Sequence, residues 1–286
     1  MTPQTGTTQA GGTLVLVATP IGNLGDTSSR AVDALRTAAL ICCEDTRRTA
    51  KLLNHFGIAG VRMAVANEHT EAARVDQVLG VLGAGQTVAV VSDAGMPGIS
   101  DPGGLLVRAA IEAGHTVSAV PGPSAEVMAL VISGLATARY VFEGFLPRSG
   151  GERTARIAEV AAERRTVVLY EAPHRLARTV ADLAAACGGE RAVAIARELT
   201  KVHEEVWRGS LADAVVMVAS REPQGEYVVV LAGAPAPVAA DDAAIRAALI
   251  ERLAAGGSTK SAVLAVADAL GVAKNRVYDV ALTVDR

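Results

Sequence analysis

Residues 87–91 form an apolar run that stops abruptly at Ser92-Asp93, and the loop beyond that stop constrains the chain most. From Ala94 through Gly104 stand four glycines, two prolines and one further carboxylate, Asp101, before an apolar periodic segment begins. A buried strand that ends in a Gly/Pro loop and restarts as a helix marks the ligand edge of an open α/β sheet. Ordinary βα connections run about two to six residues, so a loop of this length points to binding. Glycine supplies positive φ and close backbone approach there, and proline fixes the loop's shape beforehand.

The same grammar recurs along the chain. Residues 14–18, 40–43, 61–66 and 117–120 read as further buried strands, and Thr19-Pro20-Ile21-Gly22-Asn23-Leu24-Gly25 and Pro121-Gly122-Pro123-Ser124-Ala125 as companion loops. Asp26 or Thr27 is the expected cap of the first helix, with Val32, Leu35 and Ala39 on its apolar face. Later helices carry Leu52 and Leu53, then Val75, Val78, Leu79 and Leu82, then Leu105, Leu106 and Ile111. Strands alternating with helices predict parallel βαβ units over residues 13–123.

After a helix over 125–133 the spacing changes. Strands are expected at 140–145, 166–170, 192–196, 205–208 and 227–231, with helices reaching about Glu163, over 176–186, and between the last two strands. Arg148-Ser149-Gly150-Gly151 reads as a loop. Residues 124–233 therefore read as a second α/β domain with a mixed sheet. Residues 1–12 read as a polar, disordered tail without the charge or apolar segment of a signal peptide. Residues 234–240, opening Ala-Pro-Ala-Pro, read as a linker, and 241–286 as a small helical domain.

Composition narrows the function. Net charge is −3, so a nucleic-acid partner needs a local basic patch rather than the overall field. Three Phe, four Tyr and one Trp are too few for a broad base-stacking sheet. Three cysteines, Cys42, Cys43 and Cys187, give neither a disulfide framework nor metal-ligand spacing, which suits the cytoplasm. No metal site is expected, and no apolar run approaches the ~18 residues of a membrane span. The Gly-rich phosphate loop, the dinucleotide fingerprint, the Gly-x-Ser-x-Gly elbow and the His-Glu-x-x-His helix are all absent from the sequence. Polar clusters stand instead at strand ends: Glu44-Asp45-Thr46-Arg47, Glu68-His69, Ser92-Asp93, Tyr170-Glu171 with His174-Arg175, and Arg197-Glu198 with Lys201. Two adjacent α/β units with such ends describe a cleft.

In the tail, Ala267, Gly271 four residues on and Val277 six further match a helix-turn-helix. Lys274, Asn275 and Arg276 would open its second helix, suited to phosphate contact; a plain helical hairpin fits the spacing equally.

Taken together, these residues resemble the ribosomal small-subunit methyltransferase I family over nearly the whole chain. The resemblance is carried by Val17 through Asp26, Glu44-Asp45-Thr46-Arg47, Ser92-Asp93-Ala94-Gly95 through Gly103, and Pro121-Gly122-Pro123-Ser124-Ala125. It continues in Glu143-Gly144-Phe145-Leu146-Pro147, Tyr170-Glu171 with His174-Arg175-Leu176, Ala196 through Lys201, and Lys274-Asn275 with Tyr278. It implies a two-domain tetrapyrrole-methylase fold, a homodimer, and S-adenosylmethionine in the interdomain cleft. The implied reaction is methylation of the ribose 2′-hydroxyl of a cytidine in the decoding region of 16S rRNA, with the small ribosomal subunit as partner. Met96 stands where threonine is expected, and Gln224 where lysine is common.

On that reading, Pro20, Gly22, Asp93, Ala94, Gly95, Pro97, Gly122, Ser124 and Ala125 are the expected cofactor contacts. Glu171, Glu198, Lys201 and His69 are alternative candidates for one general base, and the sequence does not choose among them. Arg47, Arg48, Arg148, Arg153, Arg156 and Arg175 on the cleft rim, with Lys274 and Arg276 in the tail, are the expected RNA contacts. Two other readings stay open: a methylase of corrin or sirohaem precursors, and a non-catalytic RNA-binding regulator.

Overall fold

The computed structural model describes residues 12–220, 222–236 and 240–284. The expected disordered tail, apart from Gly12, and part of the linker lie outside the described residues. Residues up to Ala234 form one compact unit, and Pro235–Arg286 a second.

The first half of the larger unit runs β1 (Thr13–Val17), α1 (Ser29–Thr37), β2 (Leu40–Cys43), α2 (Thr46–His55), β3 (Met63–Val65), α3 (Val75–Gly83), β4 (Val88–Val91), α4 (Gly104–Glu112) and β5 (Thr116–Val120). All neighbouring strands pair in parallel, in the order β3-β2-β4-β1-β5. Both faces are covered, which is why the strands read as unbroken apolar runs. Val88 and Val90 pack with Leu82 and Leu106 on one face, while Ala89 and Val91 pack with Leu35 and Leu53 on the other. Cys42 and Cys43 point to these opposite faces, and burial pushes the Cys42 thiol up to about 12.

The second half runs α5 (Ala125–Ile132), β6 (Tyr140–Phe145), α6 (Gly150–Ala162), β7 (Thr166–Glu171), α7 (Pro173–Cys187), β8 (Ala192–Arg197), β9 (Glu205–Ser210), α8 (Leu211–Ala219) and β10 (Tyr227–Leu231). Its sheet has the order β6-β7-β10-β8-β9, parallel between β6 and β7 and antiparallel elsewhere, so it is mixed as expected. One face packs on α6, α7 and α8; the other packs on α5 and on Ile21 from the loop after β1. The fold is thus α/β, with a parallel sheet, a mixed sheet and C-terminal helices.

Local expectations needed correction in four places. Ser28, not Asp26 or Thr27, caps α1, because Leu24–Asp26 forms a separate 3-10 turn capped by Asn23. Gly150 and Gly151 are the first turn of α6 rather than loop. Helix α7 starts at Pro173, where proline's fixed φ suits the first turn, so His174 and Arg175 are helical. Ile111, grouped with Leu105 and Leu106 among the apolar residues of α4, is mostly exposed.

The smaller unit is three helices, α9 (Asp242–Ala254), α10 (Thr259–Leu270) and α11 (Lys274–Ala281). Gly271 sits in the left-handed region (φ 61°) as the C-cap of α10, and Ala267 and Val277 are buried across the turn. Those are the offsets read from the sequence. Among the described residues, no helix is long and apolar enough to cross a membrane.

Candidate active site

Because β4, β1 and β5 are neighbours and parallel, the three Gly/Pro loops leave the same sheet edge side by side. Thr19 and Gly95 exchange two backbone hydrogen bonds of 2.9 and 3.0 Å, tying the first two loops together. Ser92 is buried below them; its hydroxyl donates to the Gly95 carbonyl (3.2 Å), and the Thr19 hydroxyl donates to the Ser92 carbonyl (3.2 Å). The third loop passes so close that a Cβ on Gly122 would stand 2.8 Å from the Ala18 Cβ. At its far end the β4 loop is held by Glu71, whose Oε1 accepts the backbone N–H groups of Gly103, Leu105 and Leu106 at 2.9–3.0 Å. That oxygen does for α4 what a capping side chain normally does from the adjacent residue.

Two cavities open at this edge. The larger, ≈ 300 Å³, lies between the β4 loop and the mixed sheet, with Met96, Ile99, Asp101, Glu126, Tyr170 and Glu171 on its walls. The smaller, ≈ 250 Å³, is lined by Pro20, Gly22, Arg48, Thr49, Lys51 and Asp93 among others. The expected cofactor set divides between them. Ala94, Gly95 and Ala125 line the larger; Pro20, Gly22 and Asp93 line the smaller. Pro97 is buried within its loop, and Ser124 donates its hydroxyl to Glu126 (2.5 Å).

The electrostatics are acidic. Burial lifts the carboxyl of Asp101 to about 6, helped by Glu44 and opposed by a hydrogen bond from Ser92. Burial likewise raises Glu44, where Asp93 adds to it, and Asp93, where Arg48 opposes it. Asp93 Oδ2 lies 3.3 Å from Arg48, while its Oδ1 is buried without a hydrogen-bond partner among the described residues. Glu126 is buried at the start of α5 and accepts the Tyr170 hydroxyl as well as that of Ser124. Sequence reading passed over Glu126; the available signal was one acid in the otherwise apolar helix AEVMALVI.

The four candidate bases differ sharply in position. Glu171, at the end of β7, is fully buried and saturated: Thr179 Oγ1 donates to Oε2 (2.5 Å), Ala172 N–H to Oε1 (2.9 Å), and Arg175 lies 3.3 Å away. Glu198 holds Lys201 at 2.8 Å and the Glu226 N–H at 2.9 Å; burial raises its carboxyl, but these donors outweigh it and leave it low. For Lys201, burial pulls the ammonium down, yet Glu198 and Glu226 outweigh it and hold the proton. A charged, braced lysine is the opposite of a base. His69 sits on an exposed turn and lines neither cavity.

The brace is built into the backbone. Glu198 and Thr200 carry positive φ (50° and 68°). A Cβ on Gly225 would stand 2.6 Å from the Glu198 carboxyl, and one on Gly22 would stand 2.3 Å from Lys201 Cγ. Strain of this kind persists only where surroundings enforce it, and it clusters at functional sites.

The expected rim arginines are not one class. Arg47, Arg48 and Arg148 are exposed, and Arg156 is half-exposed while paired with Glu143 and Glu159. Arg153 is a correction: it is 3% exposed, pairs with Asp182 at 2.8 Å and bonds Thr179 and the Pro147 carbonyl, so it is unavailable to a rim ligand. Arg175 is also largely turned inward, joining Glu171 to the carbonyls of Leu146 and Pro147. In the smaller unit Lys274 and Arg276 are exposed on the first turn of α11, with Arg276 2.9 Å from Asp242. Gln224 gives its carbonyl to Arg197 (2.7 Å), and nothing in the structure explains Met96 in place of threonine.

A strand-end cleft closed by a mixed sheet is the architecture of a methylase class, and residues 13–215 match the family model for tetrapyrrole (corrin/porphyrin) methylases. Solved structures agree on the fold. Uroporphyrin-III C-methyltransferase of Thermus thermophilus aligns at TM-score 0.54 with 19% identity, over 77% of this chain and 94% of its own. The same enzyme complexed with S-adenyl homocysteine gives TM-score 0.55 with 17% identity, over 78% and 97%. Within this class the chain belongs to the ribosomal RNA small subunit methyltransferase I family. The Synechocystis member is 51% identical over 78% of this chain and 80% of its own. The Mycobacterium tuberculosis member is 48% identical over 273 residues, 95% of each chain, and that of Pseudomonas aeruginosa 43% over 95% and 97%.

Proposed function

We propose that the protein transfers the methyl group of S-adenosylmethionine to the ribose 2′-hydroxyl of a cytidine in the decoding region of 16S rRNA, in the cytoplasm. The observation that carries this reading is the extent of the rRNA methyltransferase match. Its 273 residues exceed what the unit ending at Ala234 holds, so it takes in the helical unit as well as the methylase body. A corrin or sirohaem methylase has no evident use for exposed cations on a helix-turn-helix.

The larger cavity suits the donor chemically. Ile99, Leu199 and Val228 offer apolar walls, the backbone of Ala94, Gly95 and Ala125 offers polar contacts, and Asp101 and Glu126 offer negative charge toward a cation. Its volume of ≈ 300 Å³ falls at the lower end of small-molecule sites. The cofactor, when bound, supplies an electrophilic methyl group on a sulfonium. The chain's own task is alignment and exclusion of water, which the bonded pair of loops at Thr19 and Gly95 serves.

The acceptor's ribose and phosphate belong at the smaller cavity, where Arg48 and Lys51 meet the phosphate and Asp93 meets the hydroxyl. Asp93 lines this cavity and burial keeps its carboxyl basic for its kind, so it is the group that takes the hydroxyl proton as methyl transfer proceeds. Glu198 and Lys201 act as a brace between the halves. Arg47, Arg148 and Arg156, with Lys274 and Arg276, extend the phosphate-binding surface. A homodimer finds a face in the exposed edge strand β5 and in Val127 and Val131 of α5.

Labelled S-adenosylmethionine incubated with small ribosomal subunits tests the reading. Label in rRNA supports it; label only in an added tetrapyrrole favours the corrin or sirohaem enzyme, and no transfer favours a regulator. Asp93→Asn is expected to slow single-turnover transfer about 100-fold while donor affinity by calorimetry stays within about threefold. Transfer at wild-type rate removes Asp93 as the proton acceptor.

A further inference from the structure

Phe145 is 52% exposed and lines the larger cavity. The other exposed aromatics among the described residues, Tyr140 and Tyr278, line neither cavity. Its position is enforced. In the pairing of β6 with β7, Phe142 faces Val168, Gly144 faces Leu169 and Phe145 faces Tyr170, leaving Glu143 as an extra residue. Side chains alternate faces along a strand, so Phe142 and Phe145 would otherwise point to opposite sides. The bulge returns Phe145 to the face of Phe142 and Tyr170, and re-aiming a side chain beside a site is what bulges commonly do. The Phe142 and Tyr170 centroids lie 4.9 Å apart, and those of Phe145 and Tyr170 5.6 Å apart.

The backbone is committed to this arrangement. Gly144 adopts φ +60°, and a Cβ there would stand 3.0 Å from Ser100 Oγ of the β4 loop. Ser100 is itself at φ 59°. Beyond Phe145, the Leu146 and Pro147 carbonyls are held by Arg175, and that of Pro147 also by Arg153. The ring therefore leans on Tyr170, is fixed on both sides along the chain, and stands half exposed. A rigid, uncovered aromatic ring at the wall of a cavity selects a flat partner.

We propose that Phe145 is the stacking platform for a nucleobase entering the larger cavity. This rests on the reaction proposed above, which brings two nucleobases to the site: the donor's adenine and the acceptor's base. Phe145→Ala and Phe145→Tyr distinguish them. If alanine raises KM for small subunits about tenfold, with donor affinity unchanged and tyrosine restoring KM, the platform holds the acceptor's base. If alanine instead weakens S-adenosylmethionine binding about tenfold by calorimetry, with tyrosine restoring it, the platform holds adenine. Alanine without effect on either quantity overturns the proposal. So does a change of sedimenting mass on substitution, which would mean that a second copy covers the ring. If the wild-type protein transfers no methyl group to subunits, the reaction reading falls by itself, and the donor titration alone decides the platform.

Discussion

Asp101 is a cavity-wall carboxylate strongly altered by the fold, and its protonation has a measurable cost. Its folded value of about 6 lies well above an unfolded aspartate's ~3.9, so the folded chain holds the proton more tightly. That contribution to stability is complete below about pH 4 and disappears as pH rises through about 6. Asp101→Asn, which has no charge to bury, is expected to match the wild type near pH 4 and to be more stable at pH 7.5. The gain is on the order of 1 kcal/mol once solvent at the cavity mouth is allowed for. Urea melts across that pH range check it, and parallel curves would place Asp101 outside the buried set. Residue types and loop positions were legible in the sequence, but protonation was not. Lys201 illustrates why: its spacing from Glu198 allows a structural pair to be read, yet the second carboxylate that fixes its charge arrives from Glu226, 25 residues away.

Among the elements, α6 and α7 show what an arginine in a basic-looking segment can do instead of binding RNA. Arg153 on α6 reaches Asp182 and Thr179 on α7 and the Pro147 carbonyl between β6 and α6. Arg153→Met removes the shorter bond to that carbonyl and the nearer partner of the part-exposed Asp182, and is expected to cost about 2 kcal/mol, read as a lower denaturant midpoint. It should leave the salt dependence of RNA binding unchanged. Exposed Arg47→Ala should instead reduce the slope of log K against log salt by about one and leave stability almost untouched. Equal salt slopes for the two variants would return Arg153 to the RNA surface. Strands such as β2 and β4 were legible because burial on both faces writes them as uninterrupted apolar runs. The bulge in β6 was not, since an extra residue is defined by the strand opposite. Helix α7 starts three residues before the 176 expected, because Pro173 suits a first helical turn.

For the whole molecule, the division at Ala234 has an experimental consequence. A chain ending there keeps both sheets and both cavities, so it is expected to unfold in one cooperative transition and to bind S-adenosylmethionine within about threefold of the full chain. Affinity for small subunits should fall. A larger loss of donor affinity would make the helical unit part of the donor site. The fold class and the three loops at one edge followed from alternation and punctuation. The strand order that makes β4, β1 and β5 neighbours did not, because parallel crossovers of similar length permit several orders.

Glu71 reaches across 32 residues to close the far end of the β4 loop, while the exchange with Thr19 closes the near end. A segment anchored twice before any ligand arrives has little configurational freedom left to lose. Cutting the distant staple would therefore leave every ligand contact in place and still weaken binding, with the loss appearing as entropy rather than as heat. A residue that touches nothing in the cavity thereby sets how tightly the cavity holds.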